Sequence, residues 1–302
     1  MSKLKKYLIA TFTLCCIILI PGIHDHNLGT FTGNANFSTS LMLCMFTPAV
    51  GALISGADFR EMGWRLHSGR NKKWILLAWL LPTVFAVTGA FCYYLVFPED
   101  FAPAVAFERM LGEEEFKEFQ ADGSHYLGYI SMAFFESVTS FNTFVAIIFG
   151  LGEEIGWRGY MFKDLKSRLG RTKGVLLGGV IHGAWHFPVM IFAGYEYGRD
   201  YYGAPLLGLF TFCIFTVSTG IISDWLYEKS GSIWLPAISH GLTNAAISGR
   251  MVLGNDHPRR IIFGPSEIGL IGVIPIALFA AGVLYWQHKE DRLEFEEAWE
   301  LS

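Results

Sequence analysis

The chain has 302 residues, of which 52% are hydrophobic and only 17% are charged. Soluble domains carry about 25% charged residues, so this composition indicates a polytopic membrane protein and excludes a pair of ordinary soluble domains. The formal net charge is −4 and no basic patch stands out, so nothing points to a nucleic-acid partner.

Eight apolar runs follow one another along the chain, separated by polar or charged segments. They cover residues 8–20, 37–56, 74–97, 126–150, 174–193, 203–225, 233–249 and 268–286. A membrane helix needs about 20 apolar residues, so we predict an all-α bundle of about eight transmembrane helices. Residues 21–24 form a poor cleavage site and further spans follow, so we interpret the short first run as a retained helix rather than a signal peptide. Residues 1–302 then form a single integral membrane domain.

Two connecting segments need an interpretation of their own. Residues 24–36 include His24 and His26 but no further metal ligands, so we predict a polar loop rather than a metal site. In residues 98–125, large apolar side chains alternate with Glu and Lys, which predicts a short amphipathic helix at the membrane surface. A solvated helix is the alternative.

The distribution of Lys and Arg predicts the orientation in the membrane. These residues concentrate before the first run, after the second and after the fourth, whereas the segments after the first, third and fifth runs hold few. The positive-inside rule then places both termini in the cytoplasm, with Arg259 and Arg260 as a mild exception. We expect the plasma membrane as the location.

The stretch GEEIGWRG, residues 152–159, follows the fourth apolar run. Carboxylates at the end of a membrane helix are costly, which favours a functional role over a plain charge cluster at a helix end. In a helix Glu154 and Arg158 lie four residues apart and share a face, whereas Glu153 points about 100° away. This pattern predicts one carboxylate held by the arginine and one free to act.

Two later apolar runs carry polar pairs at the same spacing. His182 and His186 lie in the fifth run, and His240 and Asn244 lie in the seventh. A single membrane histidine is often only a hydrogen-bond partner between helices. Three polar pairs in order on three apolar helices instead predict one site in the cytoplasmic half of the membrane. Glu136, inside the fourth run, either lines the same cavity or bridges helices.

Together the segments EEIGWRG, AWHFP and HGLTN resemble the CAAX protease and bacteriocin-processing family of intramembrane endopeptidases. The matching residues are Glu153, Glu154 and Arg158 for the family's EExxxR motif, His186 for FxxxH, and His240 and Asn244 for HxxxN. The resemblance covers about residues 126–250, which we interpret as the catalytic core. His182 stands where the family often has Phe.

The resemblance implies hydrolysis of a peptide bond in a membrane-embedded or lipid-anchored substrate. Glu153 is then the general base for water, and His186 holds that water or protonates the leaving amine. His240 and Asn244 donate to the developing oxyanion. The ion-paired carboxylate and arginine fix the motif and bind the substrate end.

A metal-assisted version stays open. Zn²⁺ held by Glu153, His186 and His240 would lower the pKa of its bound water. His182 is a less suitable ligand, since Gly183 stands where an HExxH motif has its glutamate. Two other classes also stay open: a proton- or ion-coupled transporter, and a non-catalytic scaffold or immunity protein. Transporters often show repeated halves, and this sequence shows none.

Overall fold

The computed structural model describes residues 2–123, 126–245, 254 and 257–300. Throughout these ranges the regular secondary structure is helical, apart from an isolated bridge between Phe101 and Gly254. The predicted all-α fold is confirmed. The end of the seventh apolar run, residues 246–249, and the side chain of Glu136 lie outside what the structure describes.

The helices follow the apolar runs, with several breaks. In the described part they are α1 (Lys3–Asn27), α2 (Phe31–Cys44), α3 (Thr47–Ile54), α4 (Ser68–Val96), α5 (Pro103–Leu111), α6 (Glu113–Ala121), α7 (Tyr126–Thr139), α8 (Phe141–Gly156), α9 (Phe162–Leu169), α10 (Arg171–Ala193), α11 (Leu206–Ser230), α12 (Trp234–Ala245) and α13 (Ile274–Glu300).

Five stretches of the described chain are long and apolar enough to cross a membrane. They are Lys3–Asn27, Phe31–Ile54, Ser68–Val96, Arg171–Ala193 and Leu206–Ser230. The chain is therefore an integral membrane protein, but the predicted count of eight spans is not confirmed. A single helix over residues 126–150 is wrong, because Ser140 ends one helix and caps the next by accepting a hydrogen bond from the Thr143 amide. The resulting helices have 14 and 16 residues, short for a bilayer.

Two predicted connections also differ from the structure. Most of the expected loop at residues 24–36 is helical, since α1 continues to Asn27 and α2 begins at Phe31 under a cap from the Thr30 hydroxyl. The expected amphipathic helix is two short helices, α5 and α6, because Gly112 between them adopts a φ of 86°. Their apolar side chains pack on one another, with Phe107 fully buried. A position at the membrane surface remains a prediction.

Close approach of α8 and α12 sets the geometry of the polar centre. A Cβ atom added at Gly241 would lie 2.4 Å from the Cα of Ile147, so glycine is required there. On the facing side, a Cβ at Gly150 would lie 3.3 Å from the Cβ of His240. Small residues at such contacts let membrane helices pack backbone to backbone.

We expect Gly241→Ala to lower the thermal stability of the protein in detergent. The added methyl group meets backbone rather than a flexible side chain, so α12 must move away from α8, and such overpacking costs about 1–3 kcal/mol. The matched control is Gly282→Ala in α13, where nothing lies within 4 Å of an added Cβ. Equal melting temperatures for Gly241→Ala and the wild type would contradict the close packing.

Candidate active site

The motif at residues 152–159 spans the end of α8 and a wide π-helical turn, Trp157–Met161. Such turns occur frequently at functional sites. Glu154 and Arg158 form the ion pair expected from their spacing, with 2.8 Å between Oε1 and Nη1. Both side chains are almost completely buried, at 0% and 1% exposure. Removal of either partner would therefore leave an uncompensated charge inside the protein.

Glu153 points to a different set of neighbours. Its Oε2 accepts hydrogen bonds from Nε1 of Trp157 at 3.0 Å and from Nε2 of His182 at 3.1 Å. Its Oε1 lies 3.7 Å from Nε2 of His240. One oxygen of the carboxylate is thus held by two donors, and the other is oriented toward the imidazole of α12.

His240 connects the two carboxylates. Its Nδ1 donates to Oε1 of Glu154 at 2.8 Å, the same oxygen that accepts from Arg158. Within the described part of the chain, Oε2 of Glu154 and Nε of Arg158 have no hydrogen-bond partner. The Arg158 guanidinium also lies 4.5 Å above the ring of Phe162. The ion pair and the histidine therefore form one buried unit.

His186 lies one turn further along α10 than His182. Its Nδ1 donates to the carbonyl oxygen of His182 at 3.1 Å, which leaves Nε2 for other partners. The rings of His182 and His186 are 5.3 Å apart, and those of His182 and His240 are 6.0 Å apart. The histidines of α10 and α12 thus gather around Glu153.

A cavity of about 490 Å³ lies beside this cluster. Its polar lining includes all the site residues expected from the sequence: Glu153, Glu154, Arg158, His182, His186, His240 and Asn244. Asn244 is exposed, one turn beyond His240 on α12. Apolar side chains from α1, α2 and α4 form much of the remaining wall. A volume of this size can hold water and a short peptide segment.

The part of the chain that holds these site residues is similar to known proteins. Residues 135–246 match the family model described as type II CAAX prenyl endopeptidase, Rce1-like. The resemblance to CAAX proteases is confirmed. The Rce1-like segment contains all three motifs and lies inside the predicted core at residues 126–250.

A curated relative supports the same family. Over 124 residues the chain is 36% identical to CAAX prenyl protease 2 of Methanococcus maripaludis, which corresponds to 39% of this chain and 45% of the relative. The match thus spans less than half the length of that relative. The similarity is consequently local to part of each protein.

Trp157 is a neighbour of Glu153 that the sequence analysis did not predict. It is fully buried and binds Glu153 through its indole N–H. Glu153 and Trp157 are four residues apart, as Glu154 and Arg158 are. Helical spacing alone therefore predicts that Glu153 and Trp157 share a face. The Rce1-like segment therefore holds two pairs of this spacing, Glu153 with Trp157 and Glu154 with Arg158, which are offset by one residue.

A second carboxylate pair, also not expected from the sequence, lines the same cavity. Glu196 lies between α10 and α11, inside the Rce1-like segment, and Glu267 lies before α13, beyond it. Both are outside the membrane-spanning helices. Burial and the nearby charge of Glu267 raise the pKa of Glu196 to about 7. Burial also raises the pKa of Glu267.

We expect Glu196→Gln to stabilise the protein at pH 8 more than at pH 5. The folded protein binds the Glu196 proton more tightly than the unfolded chain does, whose pKa is near 4.5. The wild type therefore loses stability as pH rises through about 7, and the glutamine variant lacks this contribution. Melting temperatures of both proteins across this pH range test the sign. A difference that is constant or shrinks with rising pH would contradict it.

The expected zinc ligands Glu153, His186 and His240 lie in the same cavity lining. Among the described residues, no three His, Cys, Asp or Glu side chains are arranged to hold a metal ion. In the expected zinc set of Glu153, His186 and His240, the atoms without a hydrogen bond to the described part of the chain are Oε1 of Glu153 and Nε2 of each histidine. Glu153, His186 and His240 therefore do not form a metal site in this arrangement of the described side chains.

Proposed function

We propose that the protein is an intramembrane endopeptidase that hydrolyses a peptide bond in a membrane-embedded or lipid-anchored substrate. The observation that carries this proposal is the burial of Glu153 with His182 and His240 beside a cavity in a bundle of membrane helices. The Rce1-like match supports peptidase chemistry, and the name of the relative supports a prenylated substrate.

Glu153 is the general base in this proposal. Trp157 and His182 occupy its Oε2, so Oε1 is the atom that takes a proton from a water molecule in the cavity. The oxygen of that water attacks the substrate carbonyl carbon and forms a tetrahedral oxyanion. A fixed carboxylate within hydrogen-bond reach of the water contributes about 10²–10⁴-fold to the rate.

His186 serves the same reaction from α10. Because its Nδ1–H is held by the His182 carbonyl, Nε2 carries the lone pair that binds the water or passes a proton onward. When the tetrahedral intermediate collapses, the C–N bond breaks and the leaving nitrogen receives the proton that the water gave up. The products are a new carboxyl end and a new amine end.

His240 and Asn244 stabilise the oxyanion in this mechanism. His240 donates from Nδ1 to Glu154, so it must carry a second proton on Nε2 to donate to the oxyanion. The carboxylates of Glu153 and Glu154, on either side of the ring, compensate that charge. Loss of one oxyanion donor costs about 3 kcal/mol of transition-state stabilisation.

The proposed setting is the plasma membrane with both termini in the cytoplasm. The Lys and Arg distribution supports this orientation. The turn Trp157–Met161 then lies near the cytoplasmic side, and substrates reach the site from that half of the bilayer.

The test is cleavage of synthetic peptides by purified protein in liposomes. One peptide ends in a prenylated CAAX sequence, a second has the same sequence without the prenyl group, and a third is anchored by an acyl chain. We expect cleavage of at least one anchored peptide, and mass spectrometry identifies the bond that is broken. No cleavage of any peptide by the wild type, together with proton-coupled solute uptake, would favour a transporter instead.

Metal dependence is tested on the same preparation. We expect the cleavage rate to survive chelation, because Glu153 already has hydrogen-bond partners that orient it without a metal. Metal analysis of active protein accompanies the rate measurement. One tightly held zinc per chain, with activity lost on chelation and restored by zinc, would overturn the hydrogen-bonded mechanism and assign the metal to Glu153, His186 and His240.

A further inference from the structure

His182 occupies an unusual place in the cavity. It stands where the resembling family often has Phe, yet its Nε2 lies 3.1 Å from Oε2 of Glu153. The residue is buried, at 6% exposure, and its ring lies 5.0 Å from the ring of Trp157. A phenyl ring could fill this space but could not form the hydrogen bond. The sequence therefore adds a polar contact to the proposed base.

The hydrogen-bond partners of the two ring nitrogens determine which nitrogen of His182 carries a proton. A carboxylate only accepts hydrogen bonds, so Nε2 of His182 must be the donor. Nδ1 is buried and has no partner in the described part of the chain. A second proton on Nδ1 would be left without an acceptor, which is costly in a buried site. His182 thus fits a neutral donor better than a group that exchanges protons during a reaction.

The contacts of Glu153 indicate how the His182 donor affects the orientation of the carboxylate. Trp157 and His182 both donate to Oε2, and they come from two different elements, the turn Trp157–Met161 and helix α10. Two donors on one oxygen restrict rotation of the carboxyl group. A half-turn only exchanges two equivalent oxygens, so what the two donors fix is the plane of the carboxyl group and the direction of its second oxygen. Oε1 therefore keeps its orientation toward His240.

We propose that His182 is a positioning residue that holds Glu153 in the orientation required for water activation. The proposal rests on the assignment of Glu153 as the base. In this role His182 acts through the Glu153 carboxylate rather than on the substrate or the water. A misplacement of about 1 Å in a catalytic group can cost about 100-fold in rate, so loss of this donor should lower kcat by about 10–100-fold.

The test compares His182→Phe with His182→Gln. Phenylalanine keeps the ring volume and removes the donor, whereas the glutamine amide nitrogen reaches approximately the position of Nε2 and restores it. We expect His182→Phe to lower kcat about 10–100-fold with KM within about twofold of the wild type, and His182→Gln to recover most of the loss. A merely structural role would not produce this rescue, because glutamine does not reproduce the ring.

An infrared measurement tests the same contact without using activity. The difference spectrum between the wild type and Glu153→Gln assigns the band of the Glu153 carboxyl group. We expect this band to shift in His182→Phe and to return in His182→Gln. If the band shifts and the wild type cleaves no peptide, the positioning contact stands and the proposed function fails.

Other results would overturn the inference. An unshifted carboxyl band, or unchanged kcat in His182→Phe, would mean that His182 does not hold Glu153. Complete loss of activity in both variants with normal thermal stability would assign proton transfer to the imidazole itself. If His182→Phe does not fold, His182→Gln decides: a shifted band or a large loss of kcat in that variant would also overturn the inference.

Discussion

Glu153→Gln is expected to abolish peptide cleavage while the protein stays folded and inserted. The amide oxygen of glutamine can replace Oε2 and accept from both Trp157 and His182, so neither buried donor loses its partner. The amide nitrogen then takes the place of Oε1 and cannot accept a proton from water. The expected fall in rate is at least about 10²–10⁴-fold.

The choice of glutamine matters for this experiment. Glu153→Ala would leave the Trp157 and His182 donors unpaired, and each such loss costs about 1–3 kcal/mol. Its loss of activity could then reflect a disturbed fold. His186→Ala is expected to be inactive as well, since that change removes the nitrogen proposed to bind the water. Wild-type cleavage by Glu153→Gln would show that the base is assigned wrongly and that Glu154 or a metal-bound water must replace it.

Glu154→Ala is expected to lower stability and activity together. The change strands Arg158 at 1% exposure without its partner, and breaking a buried ion pair costs about 3–5 kcal/mol. It also removes the acceptor of the His240 Nδ1–H, so the imidazole loses its orientation toward Glu153. Lower yield, a lower melting temperature in detergent and lost cleavage should appear in the same variant.

The control for Glu154→Ala is Glu113→Ala. Glu113 also forms an ion pair four residues apart, with Lys117, but both side chains are about two-thirds exposed, at 70% and 67%. Exposed pairs contribute about 0–1 kcal/mol, so this variant should melt close to the wild type. Equal effects of the two changes would mean that burial does not set the importance of the Glu154–Arg158 pair.

His240→Ala and Asn244→Ala separate binding from catalysis in the same assay. The oxyanion exists only near the transition state, so both changes should lower the rate with little effect on substrate binding. His240→Ala should also destabilise the protein, because it leaves Glu154 without one of its two donors. Asn244 is exposed, so Asn244→Ala should leave the stability of the protein unchanged.

Local patterns in the sequence were sufficient for much of the site. Apolar runs predict membrane helices because a bilayer requires about 20 apolar residues whatever the neighbours are. The Glu154–Arg158 pair follows from helical geometry, since residues four apart share a face. The second pair in the motif, Glu153 and Trp157, obeys the same rule.

Helix boundaries were less predictable, since they depend on single capping residues. Ser140 divides the fourth apolar run although the residues on both sides are apolar. The cap is a local hydrogen bond from the Thr143 amide, and an average over hydrophobicity does not detect it. The same holds for Thr30, which starts α2 inside a predicted loop.

Side-chain composition and spacing alone determined that this is a helical membrane protein with three polar pairs, and the segments that hold those pairs resemble the CAAX-protease motifs. Only the tertiary structure decided how those pairs meet. The contact between His240 and Glu154 joins residues 86 positions apart, and it depends on glycine at position 241 to bring α12 against α8. The His182–Glu153 contact and the proximity of Glu196 to Glu267 likewise join separate segments. Periodicity reports which face of a helix a residue occupies, but the partner on that face is set by packing between helices.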